Sequence, residues 1–95
     1  MTDPATGPVA AEMLRRLDAA LAPTRIELCD ESELHRGHAG HDSRGESHFR
    51  LEIESALFAG QSRVARQRLV YAALAELMAE RVHALTIRAR EPGEA

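Results

Sequence analysis

The sequence has few aromatic residues and almost no cysteine. Of its 95 residues none is tryptophan, one is tyrosine and two are phenylalanine. The core of the folded chain must therefore consist mainly of leucine, valine, isoleucine, alanine and methionine. The single cysteine, Cys29, excludes an intramolecular disulfide and a CxxC metal site, and it fits a reducing compartment.

Long hydrophobic runs are also absent. No stretch approaches the roughly 18 apolar residues that a membrane span needs. The first residues, MTDPATGPVA, lack the basic and apolar regions of a secretory signal. We therefore expect no membrane association and a cytoplasmic location.

The net charge of −3 weakly disfavours a general nucleic-acid binder, which is usually basic.

The composition is that of one small globular domain, with 44% hydrophobic and 28% charged residues. Two prolines and a glycine among residues 1–8 predict a disordered lead-in. Residues 9–92 are predicted to form the domain and residues 93–95 a tail.

Hydrophobic periodicity predicts the order helix, strand, strand, helix, strand. The predicted helices are Val9–Leu21 and Arg63–Arg81, and the predicted strands are Thr24–Asp30, Ser47–Glu54 and Val82–Arg90. Ser62 is a suitable N-cap for the second helix. The first two strands are expected to pair as an antiparallel hairpin. Three strands with helices on one face make a two-layer α+β domain.

The spacing also predicts which side chains face the core. On the second strand Phe49, Leu51 and Ile53 share the inward parity, whereas His48 has the outward parity. The predicted inward stripe of the second helix consists of Val64, Val70, Tyr71, Leu74, Leu77 and Met78.

Histidines are concentrated in the segment between the first two strands. Residues 31–46 contain three glycines and no apolar period, and a loop of about 16 residues is more often functional than not. His35, His38 and His41 are spaced by three, and His83 opens the last strand. Imidazole suits iron, zinc, copper and nickel. The pattern is also compatible with a solvated loop, a backbone-bonded His83, or a simple zinc or nickel site.

Arginines are grouped at the start of the second helix. Arg63, Arg66 and Arg68 lie in its first turns, where cations oppose the helix dipole. They could bind phosphate or an acidic protein surface, or be a solvated helix start. The chain has no Ser–His–Asp signature, P-loop or paired-carboxylate site, so we expect no enzymatic activity.

Four motifs resemble the BolA family, over about Val9 to Pro92. They are DES (Asp30–Ser32), GESHF (Gly45–Phe49), FAGQSRVARQRLVY (Phe58–Tyr71) and VHALTIRA (Val82–Ala89). The third is close to the family's F-x-G-x-S-x-x-x-R-H-R-x-V-Y, and the fourth is like its V-H-A-L. Gln67 stands where the family usually has histidine, and a KH-type GxxG is absent, since the chain reads GQSR.

The resemblance implies a class II KH-like α+β fold and a partner, a monothiol glutaredoxin. BolA-like proteins can share a 2Fe–2S cluster with such a glutaredoxin and glutathione. The BolA side then supplies a C-terminal histidine and a histidine or cysteine from the loop between the first two strands. The isolated chain is expected to hold no cluster. Some BolA-like proteins are described as DNA-binding regulators, so the competing hypothesis is a KH-like transcriptional regulator that uses Arg63, Arg66 and Arg68.

The motif match assigns His83 as the C-terminal ligand. The loop ligand could be any of three histidines, His35, His38 or His41. Counting from DES reaches His35, whereas counting back from GESHF falls near Ala39, between His38 and His41. His48 is expected to have a supporting role, and Cys29, which lies on a strand, is expected to be a spectator.

Overall fold

The computed structural model describes residues 5, 7–31, 48–82 and 84–94. The helices are α1 (Pro8–Leu21), α2 (Arg63–Ala73) and α3 (Ala75–Glu80), and the strands are β1 (Arg25–Asp30), β2 (His48–Glu54) and β3 (Ala84–Arg90). A short 3-10 turn, Ala56–Phe58, follows β2. The predicted α+β class and element order are confirmed, except that the second predicted helix is divided in two. The class II KH-like type is compatible with this architecture and stays a prediction.

The sheet has the strand order β1-β2-β3. β1 pairs with β2 antiparallel, as predicted, and β2 pairs with β3 parallel. Phe49, Leu51 and Ile53 of β2 are buried, which confirms the predicted alternation. They join a single core cluster with residues from α1 and α2, so the helices pack on one face of the sheet. None of the helices in the described ranges is long and apolar enough to cross a membrane.

Helix α1 begins at a proline and is followed by a residue in the left-handed conformation. Pro8 lies in the first helical turn, where its missing N–H leaves no backbone donor unsatisfied. Buried residues recur at helical spacing: Val9, Ala10, Met13, Leu17 and Leu21. The helix ends at Ala22, which is left-handed with φ 44° and ψ 57°. Ahead of the helix, the Ala5 amide donates to the Leu28 carbonyl at 2.8 Å.

The predicted helix Arg63–Arg81 is broken at Leu74, which has φ −110° and ψ 12°. The Leu74 amide donates to the carbonyls of both Val70 and Tyr71, each at 3.2 Å, which is a tightened helical turn. The Leu74 side chain is completely buried. Four residues of the predicted inward stripe contact the core: Val70 and Leu74 are buried, and Leu77 and Met78 pack against it. Val64 and Tyr71, predicted inward, are 55% and 40% exposed.

The N-terminus of α2 is capped as predicted. The Ser62 hydroxyl accepts the Ala65 amide at 3.1 Å, so one of the unpaired amides of the first turn is satisfied. A further contact between helices is ionic: Arg16 of α1 lies 3.5 Å from Glu76 of α3.

Candidate functional site

One end of the sheet gathers both ends of the histidine-rich segment and the start of β3. The register pairs His48 with Ala84 and Asp30 with Phe49. The Glu31 amide donates to the His48 carbonyl at 2.7 Å. The chain therefore leaves β1 and enters β2 next to the point where it enters β3.

The four predicted metal ligands, His35, His38, His41 and His83, lie outside the described residues. Their described chain neighbours are Glu31, His48, Val82 and Ala84. Within the described ranges, no group of three or more histidine, cysteine, aspartate or glutamate side chains is placed to hold a metal ion.

His48 is the described histidine at this end of the sheet. Its parity is opposite to that of the core residues of β2, as predicted, but it is only 6% exposed. Alternation alone could not indicate this burial, because parity assigns a face of the sheet and not what covers that face.

Cys29 is buried on β1, with 1% of its surface exposed. Its Sγ lies 3.5 Å from Arg50 Nη2 and 3.8 Å from a carboxylate oxygen of Glu27. Burial raises the pKa of the Cys29 thiol, and the Glu27 carboxylate adds to this although the Arg50 guanidinium opposes it. The burial and the raised pKa both disfavour the thiolate form of Cys29. Its role as a spectator stays a prediction.

Arg50 is the centre of a charged network on this outer face of the sheet. Its Nε lies 3.3 Å from Glu31, and its Nη1 lies 3.2 Å from Glu52. The network links the end of β1 to β2. It fixes Glu31, the last described residue before the histidine-rich segment.

A second feature lies between the start of α2 and the far end of β3. Arg66 Nε donates to the Gln61 carbonyl at 3.0 Å. Its Nη1 donates to the Ala89 carbonyl at 3.1 Å and to Glu94 Oε1 at 2.8 Å. The Arg66 side chain is only 12% exposed. It joins the helix to the strand and the C-terminal tail.

A cleft of about 520 Å³ surrounds this junction. The predicted group contributes two members to its lining, Arg63 and Arg66, whereas Arg68 does not line it. Two further arginines, Arg88 and Arg90, come from β3. These two arginines were not identified from the sequence. Their spacing of two on the last strand could have indicated that they lie on the same face of it.

The comparisons with known proteins agree with this fold. A family model described as BolA-like protein matches residues 17–94. BolA-like protein 1 from Homo sapiens is 44% identical over 90 residues, which cover 95% of this chain and 63% of the human protein. Protein BOLA1, chloroplastic, from Arabidopsis thaliana is 39% identical over 87 residues, covering 90% of this chain and 54% of that protein. The chain thus spans less than two thirds of each of these relatives.

Solved structures match over nearly the whole chain. The BolA domain of SufE1 from Arabidopsis thaliana is 40% identical with a TM-score of 0.84, and the match covers 96% of this chain and all of that domain. The solution structure of BolA1 from Mus musculus is 38% identical with a TM-score of 0.75, covering 97% of this chain and 72% of the mouse protein. Family model, sequence identity and fold agree, and the chain belongs to the BolA-like protein family.

Proposed function

We propose that this protein is a non-enzymatic adaptor that binds a monothiol glutaredoxin and shares a 2Fe–2S cluster with it. His83 would be one ligand, and one of His35, His38 and His41 would be the other. The cluster is the cargo of the complex, for trafficking or for iron- and redox-linked regulation. Glutathione and the glutaredoxin would complete the ligand set.

The parallel pairing of β2 and β3 is the observation that carries this proposal. His83 immediately precedes Ala84, and Ala84 lies beside His48 in the register. The histidine-rich segment is anchored at both ends on the same side of the sheet, by Glu31 and His48. Chain connectivity therefore favours a meeting of His83 with a loop histidine.

The chemistry of the available donors fits a shared cluster. An iron–sulfur cluster of this type needs four protein or thiol ligands. The one cysteine of the chain is buried, and its thiol pKa is raised, so the chain offers imidazoles and must obtain thiolates from a partner. Histidine ligands raise the reduction potential relative to thiolates, which suits transfer or sensing better than storage.

Reconstitution tests the proposal. The chain is mixed with a monothiol glutaredoxin, glutathione, iron and sulfide, and visible absorption and circular dichroism are recorded for the wild type and for His83→Ala. We expect a spectrum distinct from that of the glutaredoxin homodimer, and we expect His83→Ala to abolish it. A wild-type spectrum identical to that of the glutaredoxin alone would refute the shared cluster.

Two sets of variants sharpen the assignment. Single alanine substitutions of His35, His38 and His41 identify the loop ligand, because only the ligating residue should change the spectrum. Cys29→Ser is the matched control and should leave the spectrum unchanged, since the thiolates come from the partner. Loss of the spectrum in Cys29→Ser would contradict this donor set.

The competing hypothesis of a KH-like DNA-binding regulator receives less support. Arg66 is engaged with three acceptors of its own chain, the GxxG motif is absent and the net charge is −3. The cytoplasmic location of the protein stays a prediction. The Arabidopsis relative named above is described as chloroplastic, so the comparison does not support a cytoplasmic location.

A further inference from the structure

The cleft between α2 and β3 already holds a carboxylate. Glu94 from the C-terminal tail accepts from Arg66 at 2.8 Å and from the Glu91 amide at 3.0 Å. The tail turns back at this point, with Gly93 at φ 85° and the Glu94 amide donating to the Glu91 carbonyl at 3.1 Å. Glu94 therefore demonstrates how the cleft receives an anionic side chain.

Within the described part of the chain, two arginines that line the cleft remain without a carboxylate partner when Glu94 is bound to Arg66. Arg90 is paired with Glu54 of β2 at 3.8 Å. Arg63 and Arg88 are exposed, and among the described residues no carboxylate lies within ion-pair distance of either. All twelve basic residues of the chain are arginines, whose planar guanidinium groups match the geometry of carboxylates.

We propose that this cleft binds an acidic segment of a partner protein, and that Glu94 is an intramolecular competitor for it. The partner's carboxylates would pair with Arg63 and Arg88 and would displace Glu94 from Arg66. Ile87 and Ala89 add apolar groups to the lining of the cleft, which suits the aliphatic part of glutamate side chains.

A peptide is favoured over a nucleic acid for two reasons. The ligand that the cleft already accepts is a carboxylate, and Arg68, the third arginine of the helix start, lies outside the cleft lining. A nucleic-acid backbone would engage exposed arginines along the helix, including Arg68, rather than select those of the cleft.

The cleft is separate from the proposed cluster site. It lies at the end of β3, near Ala89, whereas Ala84 marks the other end; five residues of strand span roughly 17 Å. The two proposed sites consist of different residues, and neither proposal depends on the other.

Fluorescence anisotropy of a fluorescein-labelled, glutamate-rich peptide tests the inference on the full chain. The same peptide with glutamine in place of glutamate is the probe control. We expect only the glutamate peptide to bind at low salt. Arg63→Ala and Arg88→Ala should each weaken binding about fivefold, the upper range for an exposed ion pair. Arg68→Ala, which removes the same charge from the same helix, should change affinity less than twofold.

Variants of the tail test the competition. Glu94→Gln should strengthen peptide binding about fivefold, because Arg66 is released from its internal partner. Glu91→Gln removes the same charge from the same tail and should have little effect. Circular dichroism establishes that each variant is folded.

Three results would overturn the inference. They are equal binding of both peptides, an equal loss in Arg68→Ala and Arg88→Ala, and no gain in Glu94→Gln. Tighter binding of a labelled double-stranded oligonucleotide, lost in both Arg63→Ala and Arg68→Ala, would assign the surface to nucleic acid instead. Each of these outcomes leaves the spectrum of the reconstituted cluster complex unaffected.

Discussion

Ser55 connects three parts of the fold, and its replacement by alanine should be costly. The side chain is fully buried. Its hydroxyl donates to the carbonyl of Leu21 at 2.6 Å and accepts the amide of Leu57 at 3.2 Å. Its own amide donates to the carbonyl of Arg90 at 3.0 Å. Ser55 thus holds the end of α1, the turn after β2 and the end of β3 together.

The size of the effect follows from these contacts. Ser55→Ala leaves the carbonyl of Leu21, one of the last four of α1, without a donor at a residue that is 3% exposed. An unsatisfied buried acceptor costs about 1–3 kcal/mol. The Leu57 amide also loses its acceptor, which adds to this cost. We expect the free energy of unfolding to fall by about 2–3 kcal/mol, which lowers Tm by about 10–20 °C.

Urea unfolding followed by circular dichroism measures the change. Ser62→Ala is the matched control, because it removes a hydroxyl that accepts one exposed amide, that of Ala65. That loss should cost about 1 kcal/mol. If Ser55→Ala costs no more than Ser62→Ala, the buried hydrogen bonds of Ser55 do not carry the stability assigned to them.

Two further changes probe α1. Hydrogen bonds from Arg15 and then Arg16 lower the pKa of Glu12 from its ordinary value of 4.5 to about 2. The stabilisation by this carboxylate is therefore complete above the ordinary value and is lost as the pH falls through about 2. A carbon-13 NMR titration of the Glu12 carboxyl measures this, and titration near the ordinary value would contradict it. Ala22→Gly should raise the free energy of unfolding by about 0.5–1 kcal/mol, because Ala22 is left-handed; a loss in urea unfolding would refute this.

The sequence predicted the local elements well because their signals are local. Strand alternation placed Phe49, Leu51 and Ile53 in the core, and Ser62 marked the start of α2. The break at Leu74 could not be read in this way, since no glycine or proline marks it. It depends on the burial of the Leu74 side chain, which is a tertiary effect.

The arginine cleft depends on contacts between residues far apart in the chain. Arg66 and Glu94 are 28 positions apart, and Arg88 and Arg90 reach the same cleft through the packing of α2 against β3. Their common position in the first turns of the predicted helix grouped Arg68 with Arg63 and Arg66, although Arg68 does not line the cleft. The sequence showed the cluster of arginines at the start of α2. It could not show which of them line the cleft and which do not.

The edge of β3 explains why recognition in this cleft should depend on side chains. β3 is the last strand of the described sheet, and such an edge can pair with another strand. Here α2 covers it: Tyr71 donates to the carbonyl of Leu85 at 3.5 Å, and Arg66 donates to that of Ala89. These two side-chain donors compete with a partner strand for the carbonyls of Leu85 and Ala89. We therefore expect a partner to bind the arginine side chains that line the cleft rather than the strand edge, and we expect the charge of Glu94 to control access to them.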